Sequence, residues 1–345
     1  PGFPLVYLIA TSVGSLALVL SKRDDRADVD IADIWVDEFK TEILDASLVK
    51  FEGKELTGGF IPAQLDMPQW LQPALEELLP LLGERLLAPI VAQMPKIETT
   101  ALILIPSGHL SLVPLHVASY SKDGRTIHLL DEFTIVYIPS ARVLTSARAV
   151  SAVNDLQPTT LVGVGNPLPS SRPLPFARAE LESVGMLFAG DARYLLYEQE
   201  ATKEALHSRL STATHIHLAC HGMFDPNEPL RSHIQLAQQD ILTLQEILDE
   251  ERLQKNQLVV LSACQTAVTE FSRLPDEVIG IPSSFLQIGA PGVIGTLWSV
   301  NDLSTTLLMA KFYEIHLHLD STSKKGLTSA ANALCRAQRW LRDLT

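Results

Sequence analysis

Residues 214 to 266 constrain the fold more than any other stretch, because two short apolar runs there are separated by a connection too long for a hairpin. The first reads His215-Ile216-His217-Leu218-Ala219-Cys220-His221-Gly222, and the second Leu258-Val259-Val260-Leu261-Ser262-Ala263-Cys264-Gln265-Thr266. Each is a continuous apolar run of strand length followed by turn or loop residues, the pattern of a buried strand. Between them the sequence predicts a loop from Met223 to Ser232, a short strand from His233 to Ala237 and a helical segment from Leu242 to Leu253. Parallel neighbours need a crossover of this kind, and the ligands of open α/β sheets sit beyond the carboxyl ends of the strands. His221 and Cys264 close the two strands, so they are expected to meet in one crevice.

Composition narrows the class. The chain has 345 residues, 46% of them hydrophobic and 19% charged, which is globular composition and room for two packed halves. Its formal charge of −13 and the lack of a basic stripe set nucleic-acid binding aside. Cys220, Cys264 and Cys335 are too few and too scattered for a disulfide framework, so a reducing, cytoplasmic compartment is expected. The apolar run Leu5 to Leu20 raises the question of a membrane segment, but Thr11, Ser12, Gly14 and Ser15 interrupt it and no basic region precedes it. It reads as a hairpin, and neither half is long enough to span a bilayer. The chain starts at Pro1 rather than at an initiator Met, so it is expected to be a fragment or processed piece.

Along the chain, Ile31 to Leu48 carries Ile34, Trp35, Phe39, Ile43 and Leu44 at helical spacing and reads as an amphipathic helix. Trp70 to Met94 is Leu-rich but holds Pro73, Pro80 and Pro89, which predicts several short helices. Strand-like runs follow at Ala101–Pro106, Leu110–Leu115 and Phe133–Ile138, and Ser140 is placed to cap a helix to about Val153. His109 and His116 read as loop or packing histidines. A boundary falls near residue 157, giving halves 1–157 and 158–345, because a fresh β–α alternation starts at Thr159. The loop Asn166–Pro175 holds four prolines and lies beyond a strand end, so it is a candidate rim of the site. Helices are expected at Phe176–Phe188, Lys203–Leu210, Glu277–Ile288, Leu303–Leu319 and Leu327–Leu344, with strands near Tyr194–Tyr197 and Gly292–Leu297.

A cysteine thiol titrates near 8.5, so at neutral pH it needs an imidazole or a helix-end dipole to supply thiolate. His221 is the candidate base and Cys264 the candidate nucleophile. Backbone N–H groups of Gly222 and Cys264 are candidates for an oxyanion hole, since a residue without Cβ lets substrate approach the main chain. The plainer reading makes Cys264 a buried small hydrophobe and His221 a turn histidine, but position at strand ends favours chemistry. Zinc on His215, His217, His221 and Cys220 is disfavoured, because strand alternation puts His215 and His217 on one face and Cys220 on the other. No metal or organic cofactor is expected.

These residues also carry a resemblance. His-Leu-Ala-Cys-His221-Gly222, Leu261-Ser-Ala-Cys264-Gln-Thr266 and Gly295-Thr-Leu-Trp298-Ser-Val-Asn-Asp302 resemble the three motifs of CHAT domains, caspase-like cysteine peptidases related to separase that often follow TPR repeats. Pro229-Leu-Arg-Ser232, Glu277-Val-Ile-Gly280, Phe285-Leu-Gln-Ile-Gly289, Ile105-Pro-Ser-Gly108 and Pro139-Ser-Ala-Arg142 extend the likeness over most of the chain. The resemblance implies an α/β, caspase-like, mostly parallel sheet flanked by helices, preceded by an inactive caspase-like half. It implies a His221–Cys264 dyad, a protein substrate, and a TPR region or regulatory partner upstream, with no nucleic acid or membrane as direct partner. In separase the aspartate matching Asp302 belongs to the pocket for a basic side chain before the scissile bond. Asp302, with Ser262 at the second strand's end, is therefore the substrate-binding candidate, and the alternative is that Asp302 simply caps the helix after it. Arg231 and Arg273 are the basic residues nearest the motifs, so a caspase-like preference for Asp is not expected. The expected activity is that of a cysteine endopeptidase; the rivals are a non-catalytic scaffold and a thiol hydrolase or transferase acting on a small molecule.

Overall fold

The computed structural model describes residues 3–22, 29–65, 67–95, 100–154, 158–225, 227–249, 253, 255–262, 280–322 and 328–344. Among them, close contacts divide the chain into two compact units, one ending at Pro139 and one starting at Ser140. The expected boundary at 157 lies outside the described residues.

In the first unit β1 (Leu5–Thr11), β2 (Gly14–Lys22) and β3 (Val29–Val36) form an antiparallel meander. The hairpin expected at Leu5–Leu20 is present. The helix expected over Ile31–Leu48 is not: β3 takes its first part, and α1 (Thr41–Leu48) only the last. Ile34 and Val36 are buried while Ile31 and Trp35 are exposed, so a two-residue period decided the outcome over the helical spacing. A small hairpin, β4 (Lys50–Glu52) with β5 (Glu55–Gly58), leads to α2 (Phe60–Leu65).

Residues 71–93 are a single helical run rather than several short helices: α3 (Leu71–Leu82), a π turn (Gly83–Leu87) and α4 (Ala88–Gln93). Pro80 sits inside α3 and removes one backbone donor, and the run absorbs the disruption as a wider turn instead of ending. Then come β6 (Ala101–Pro106), the hairpin β7 (Ser119–Lys122) and β8 (Arg125–His128), α5 (Leu129–Glu132) and β9 (Thr134–Tyr137). The strand expected at Leu110–Leu115 is instead two 3₁₀ turns, Gly108–Leu112 and Leu115–Val117, which start at the left-handed Gly108 and bury Leu110, Leu112 and Leu115 without pairing. The sheet order is β3-β2-β1-β6-β9, with β1, β6 and β9 parallel.

The second unit opens with α6 (Ala141–Asn154), where the Ser140 hydroxyl accepts from the Val143 N–H. It continues through β10 (Leu161–Gly165), α7 (Ala177–Gly185), β11 (Arg193–Tyr197), α8 (Lys203–Leu210) and β12 (His215–Ala219). The crossover then holds β13 (Gly222–Met223), β14 (His233–Gln235), β15 (Ile241–Thr243) and α9 (Leu244–Leu248), followed by β16 (Leu258–Leu261). Strand β15 and a shorter helix replace the helix expected over Leu242–Leu253, because Thr243 caps α9 from inside that segment. Its hydroxyl accepts from Glu246 N–H and the Glu246 carboxylate accepts back from Thr243 N–H, at 3.2 and 2.9 Å. Similarly β14 stops at Gln235 and Ala237 starts a 3₁₀ turn.

Last are α10 (Ile281–Gln287), β17 (Val293–Ile294), α11 (Asp302–Thr322) and α12 (Ser329–Arg342). Only two residues of the expected strand Gly292–Leu297 pair. This sheet, β11-β10-β12-β16-β17, is parallel throughout. One face packs on α8, α9 and α10 through Ile216, Leu218, Cys220 and Val259; the other packs on α7, α11 and α12 through Leu161, Leu258 and Val260. Burial on both faces explains the unbroken apolar runs of β12 and β16. The fold is thus α/β, with a parallel second sheet covered by helices on both sides.

Candidate active site

The strands of the second sheet are parallel, so their carboxyl ends share one edge, and His221 follows the end of β12 there. In the β12–β16 pair Leu218 faces Leu261. His221 lies three residues past Leu218, and Cys264 three past Leu261. Cys264 itself lies outside the described residues; Ser262, the last described residue before it, is half-buried beside the end of β16. Cys220 and Cys335 are buried, Cys220 in the core under β12.

His221 is half-exposed, and its Nε2 makes a short hydrogen bond to the backbone carbonyl of Arg172. A carbonyl can only accept, so Nε2 carries the proton and the lone pair of the neutral ring falls on Nδ1. Arg172 belongs to the loop Asn166–Pro175, and that loop is fastened to the strand end. Asn166 N–H donates to the Ala219 carbonyl at 3.0 Å, and the Asn166 side chain accepts from Leu174 N–H at 2.8 Å. Sequence adjacency had named Arg231 and Arg273 as the nearest basic residues, whereas folding brings the main chain of Arg172 to the candidate base.

Gly222 starts β13, at one side of the three-stranded order β13-β14-β15. The His221 carbonyl accepts from Gln235 N–H at 2.8 Å, which makes position 221 the hydrogen-bonded one. Backbone groups alternate sides along a strand, so the Gly222 N–H turns away from β14.

Asp302 is the first residue of α11, but the helix is capped by its neighbour: the Asn301 side chain accepts from Ser304 N–H at 3.1 Å. The capping alternative for Asp302 therefore fails. Its carboxylate instead accepts from the backbone N–H of Phe176, at the start of α7, at 2.7 Å. Burial pushes the Asp302 carboxyl above its ordinary range; the Phe176 N–H and the nearby His221 pull it down, and Glu180 pushes it up. So Asp302 and His221 share one electrostatic neighbourhood.

Below the edge the histidines of β12 turn inward. His217 is fully buried, and its Nε2 meets the buried Glu180 carboxylate at 2.8 Å. His215 Nε2 lies 3.2 Å from His316 Nε2, with Thr214 Oγ1 at 3.0 Å from its Nδ1. Both rings are on the face away from Cys220, as alternation requires, which separates the ligands of the zinc alternative. No group of three or more His, Cys, Asp or Glu among the described residues could hold a metal ion. Arg172, Phe176 and Glu180 went unnoticed as site neighbours in the sequence. The two backbone contacts carry no residue signature, and Glu180 is 37 residues from His217.

A family model described as CHAT domain matches residues 76–345, more than half of the chain. No curated protein matches it. Among solved structures, the Saccharomyces cerevisiae separase–securin complex superposes with a TM-score of 0.47 at 16% sequence identity. The alignment covers 93% of this chain and 21% of the other, so this chain spans about a fifth of that one.

Proposed function

This chain belongs to the CHAT-domain family, and from that premise we propose that it is a cysteine endopeptidase with Cys264 as nucleophile and His221 as general base and acid. The observation that carries the reading is register. His221 and Cys264 follow two directly paired residues of neighbouring parallel strands by the same number of residues, and His221 has its Nε2 tied to the Arg172 carbonyl. That tie leaves Nδ1 to take the thiol proton.

The thiolate attacks the scissile carbonyl carbon, and the oxyanion is received by the Gly222 and Cys264 N–H groups. The C–N bond then breaks as the imidazolium gives its proton to the leaving amine, which leaves a thioester on Cys264. Water, deprotonated by the same ring, attacks the thioester and releases the acid and the thiol. Asp302 receives the side chain before the scissile bond, where an Arg or Lys pairs with the carboxylate, and Ser262 at the end of β16 is the second substrate-binding residue. The proposed partners are a protein substrate and an upstream TPR region or regulatory protein that acts on the loops 166–175 and 223–232, in the reducing cytoplasm. No helix among the described residues is long and apolar enough to cross a membrane.

Incubating the protein and its Cys264→Ala variant with a protein pool and mapping new termini tests the proposal. New termini that require Cys264 are expected. Identical termini from both proteins, or none from either in the presence of the upstream region, would sink it in favour of a scaffold.

A further inference from the structure

Asp302 does not stand alone at the start of α11. Helices α7 and α11 begin side by side: Phe176 N–H donates to Asp302, and one turn further along each helix Glu180 and Thr306 meet. The Thr306 hydroxyl lies 2.9 Å from the Asp302 carbonyl and 3.4 Å from both the Phe176 carbonyl and Glu180 Oε2. Glu180 is 1% exposed, and its ion partner among the described residues is His217. An ionisable pair so deep costs desolvation that an apolar contact between a helix and a sheet would avoid, so the placement needs a reason beyond packing.

The charge on the pair follows from its hydrogen bonds. His217 Nε2 faces the carboxylate, while His217 Nδ1 is buried and has no hydrogen-bond partner among the described residues. A neutral ring protonated on Nε2 donates to Glu180 and buries only a lone pair at Nδ1. An imidazolium would bury an unsatisfied N–H as well as its charge. Together the two residues therefore carry one negative charge, that of Glu180. Tyr313 packs edge-on against His217, with ring centroids 5.6 Å apart, and closes the far side.

We propose that Glu180, held by the neutral His217, is a specificity-determining positioning residue that places a second negative charge beneath Asp302 and makes the pocket select cations. This rests on the reading of Asp302 as the seat of a basic side chain. Asp302 is faced by Glu180 and Phe176 from α7 and by His221 from the end of β12; Glu180 is faced by His217 from β12 and by Thr306 and Tyr313 from α11. With His217 neutral, the Glu180 charge is left uncompensated inside its own pair, so an incoming guanidinium or ammonium is drawn by both carboxylates and an acidic side chain is repelled by both. The raised titration of Asp302 agrees in sign: burial is its largest cause, and the Glu180 charge pushes the same way.

Benzamidine serves as the cationic probe, with affinity read by calorimetry and the Asp302 carboxyl followed by ¹³C NMR against pH. Glu180→Gln keeps an acceptor for His217 and removes the charge. Expected are a benzamidine affinity lower by roughly fivefold to tenfold, the size of one more charge felt through a protein-like dielectric, and an Asp302 midpoint moved down from its wild-type position as the Glu180 push is removed. Unchanged affinity and an unmoved midpoint in Glu180→Gln, with binding lost in Asp302→Asn, would overturn this inference and leave the pocket reading intact. Wild-type protein that binds no benzamidine overturns both. Should Glu180→Gln not fold, the wild-type titration decides: an Asp302 midpoint inside the ordinary carboxylate range overturns the inference.

Discussion

Among the described residues two five-stranded sheets form, and they differ in one respect with large consequences. In the first, β3, β2 and β1 run antiparallel, so strand ends fall on both edges. In the second every pair is parallel, so all carboxyl ends and the loops that follow them share one edge. The histidines divide accordingly. His109 is paired with Asp45 at 2.6 Å and His116 with the Tyr137 hydroxyl at 3.0 Å, both local ties within the first unit. His221 is tied through Nε2 to a main-chain carbonyl, just past a strand end, with Asp302 in its field. A parallel sheet thus collects groups from distant parts of the sequence at one place, and the mixed sheet does not.

The strongest way to break this comparison is to remove a histidine from each unit. His221→Ala and Cys264→Ala are each expected to lower kcat/KM by about a thousandfold or more, and the double variant by little beyond either single one, since the two act as a unit. His109→Ala and His116→Ala should stay within about twofold of wild type. Peptide-cleavage kinetics on the five variants decides it; a large loss in His109→Ala would give the first unit a part in the chemistry.

A smaller effect is expected from Asp302→Asn. The amide keeps the shape and the Phe176 contact but loses the charge, so cleavage after Arg or Lys should fall roughly 10- to 100-fold, the worth of a charge-assisted bond. Alkylation of Cys264 should proceed at the wild-type rate. Peptide-library profiling reads the outcome, and an unchanged preference would remove Asp302 from the pocket.

How much of this was visible in the sequence depended on the burial of each segment. Strands β12 and β16 read correctly because both faces are covered and the apolar run has no gaps. Strand β3 read as a helix because one of its faces is open: with Ile31 and Trp35 exposed, the apolar positions fit a helical period as well as an alternating one. The strand expected at Leu110–Leu115 failed because buried leucines signal burial, which 3₁₀ turns supply as well as strands do. In the candidate site, His221 was legible as a histidine just past a strand end, and Asp302 as a carboxylate between the last strand and the helix that follows it. The tie from His221 to Arg172 spans 49 residues and ends on a carbonyl that any residue could provide. Asn301 and Asp302 are both good caps, and the choice between them was made by the fold, which draws the Asp302 carboxylate to Phe176 N–H and leaves Asn301 to Ser304.

Gly83 probes the first unit alone. A Cβ there would lie 1.9 Å from the Ser119 carbonyl oxygen and 2.3 Å from its carbon, so β7 or the π turn has to move. Gly83→Ala is expected to destabilise by about 2 kcal/mol, within the range for overpacked sites, even though alanine normally favours a helix by roughly 1 kcal/mol over glycine. Denaturant unfolding measures this. A stabilised variant would mean that the approach of β7 to the turn is looser than described, and a loss of more than about tenfold in catalytic rate in a folded sample would link the first unit to the site.

The smallest expected effect separates two adjacent residues of the second unit. Asn301 accepts from Ser304 N–H and so satisfies an otherwise orphaned donor in the first turn of α11. Replacing it by alanine removes that bond and should cost about 1 kcal/mol, the usual worth of a cap. The charge of Asp302 is untouched by the change, and its bond to Phe176 N–H still fixes where the helix begins. Asn301→Ala should therefore lower the unfolding midpoint slightly and leave the preference for basic residues as it was. Asp302→Asn should do the reverse, changing preference with little loss of stability. This double dissociation is measurable with unfolding curves and library profiles on the two variants. If Asn301→Ala changed the preference as much as Asp302→Asn does, the pocket would depend on where the helix starts rather than on the carboxylate at its first position.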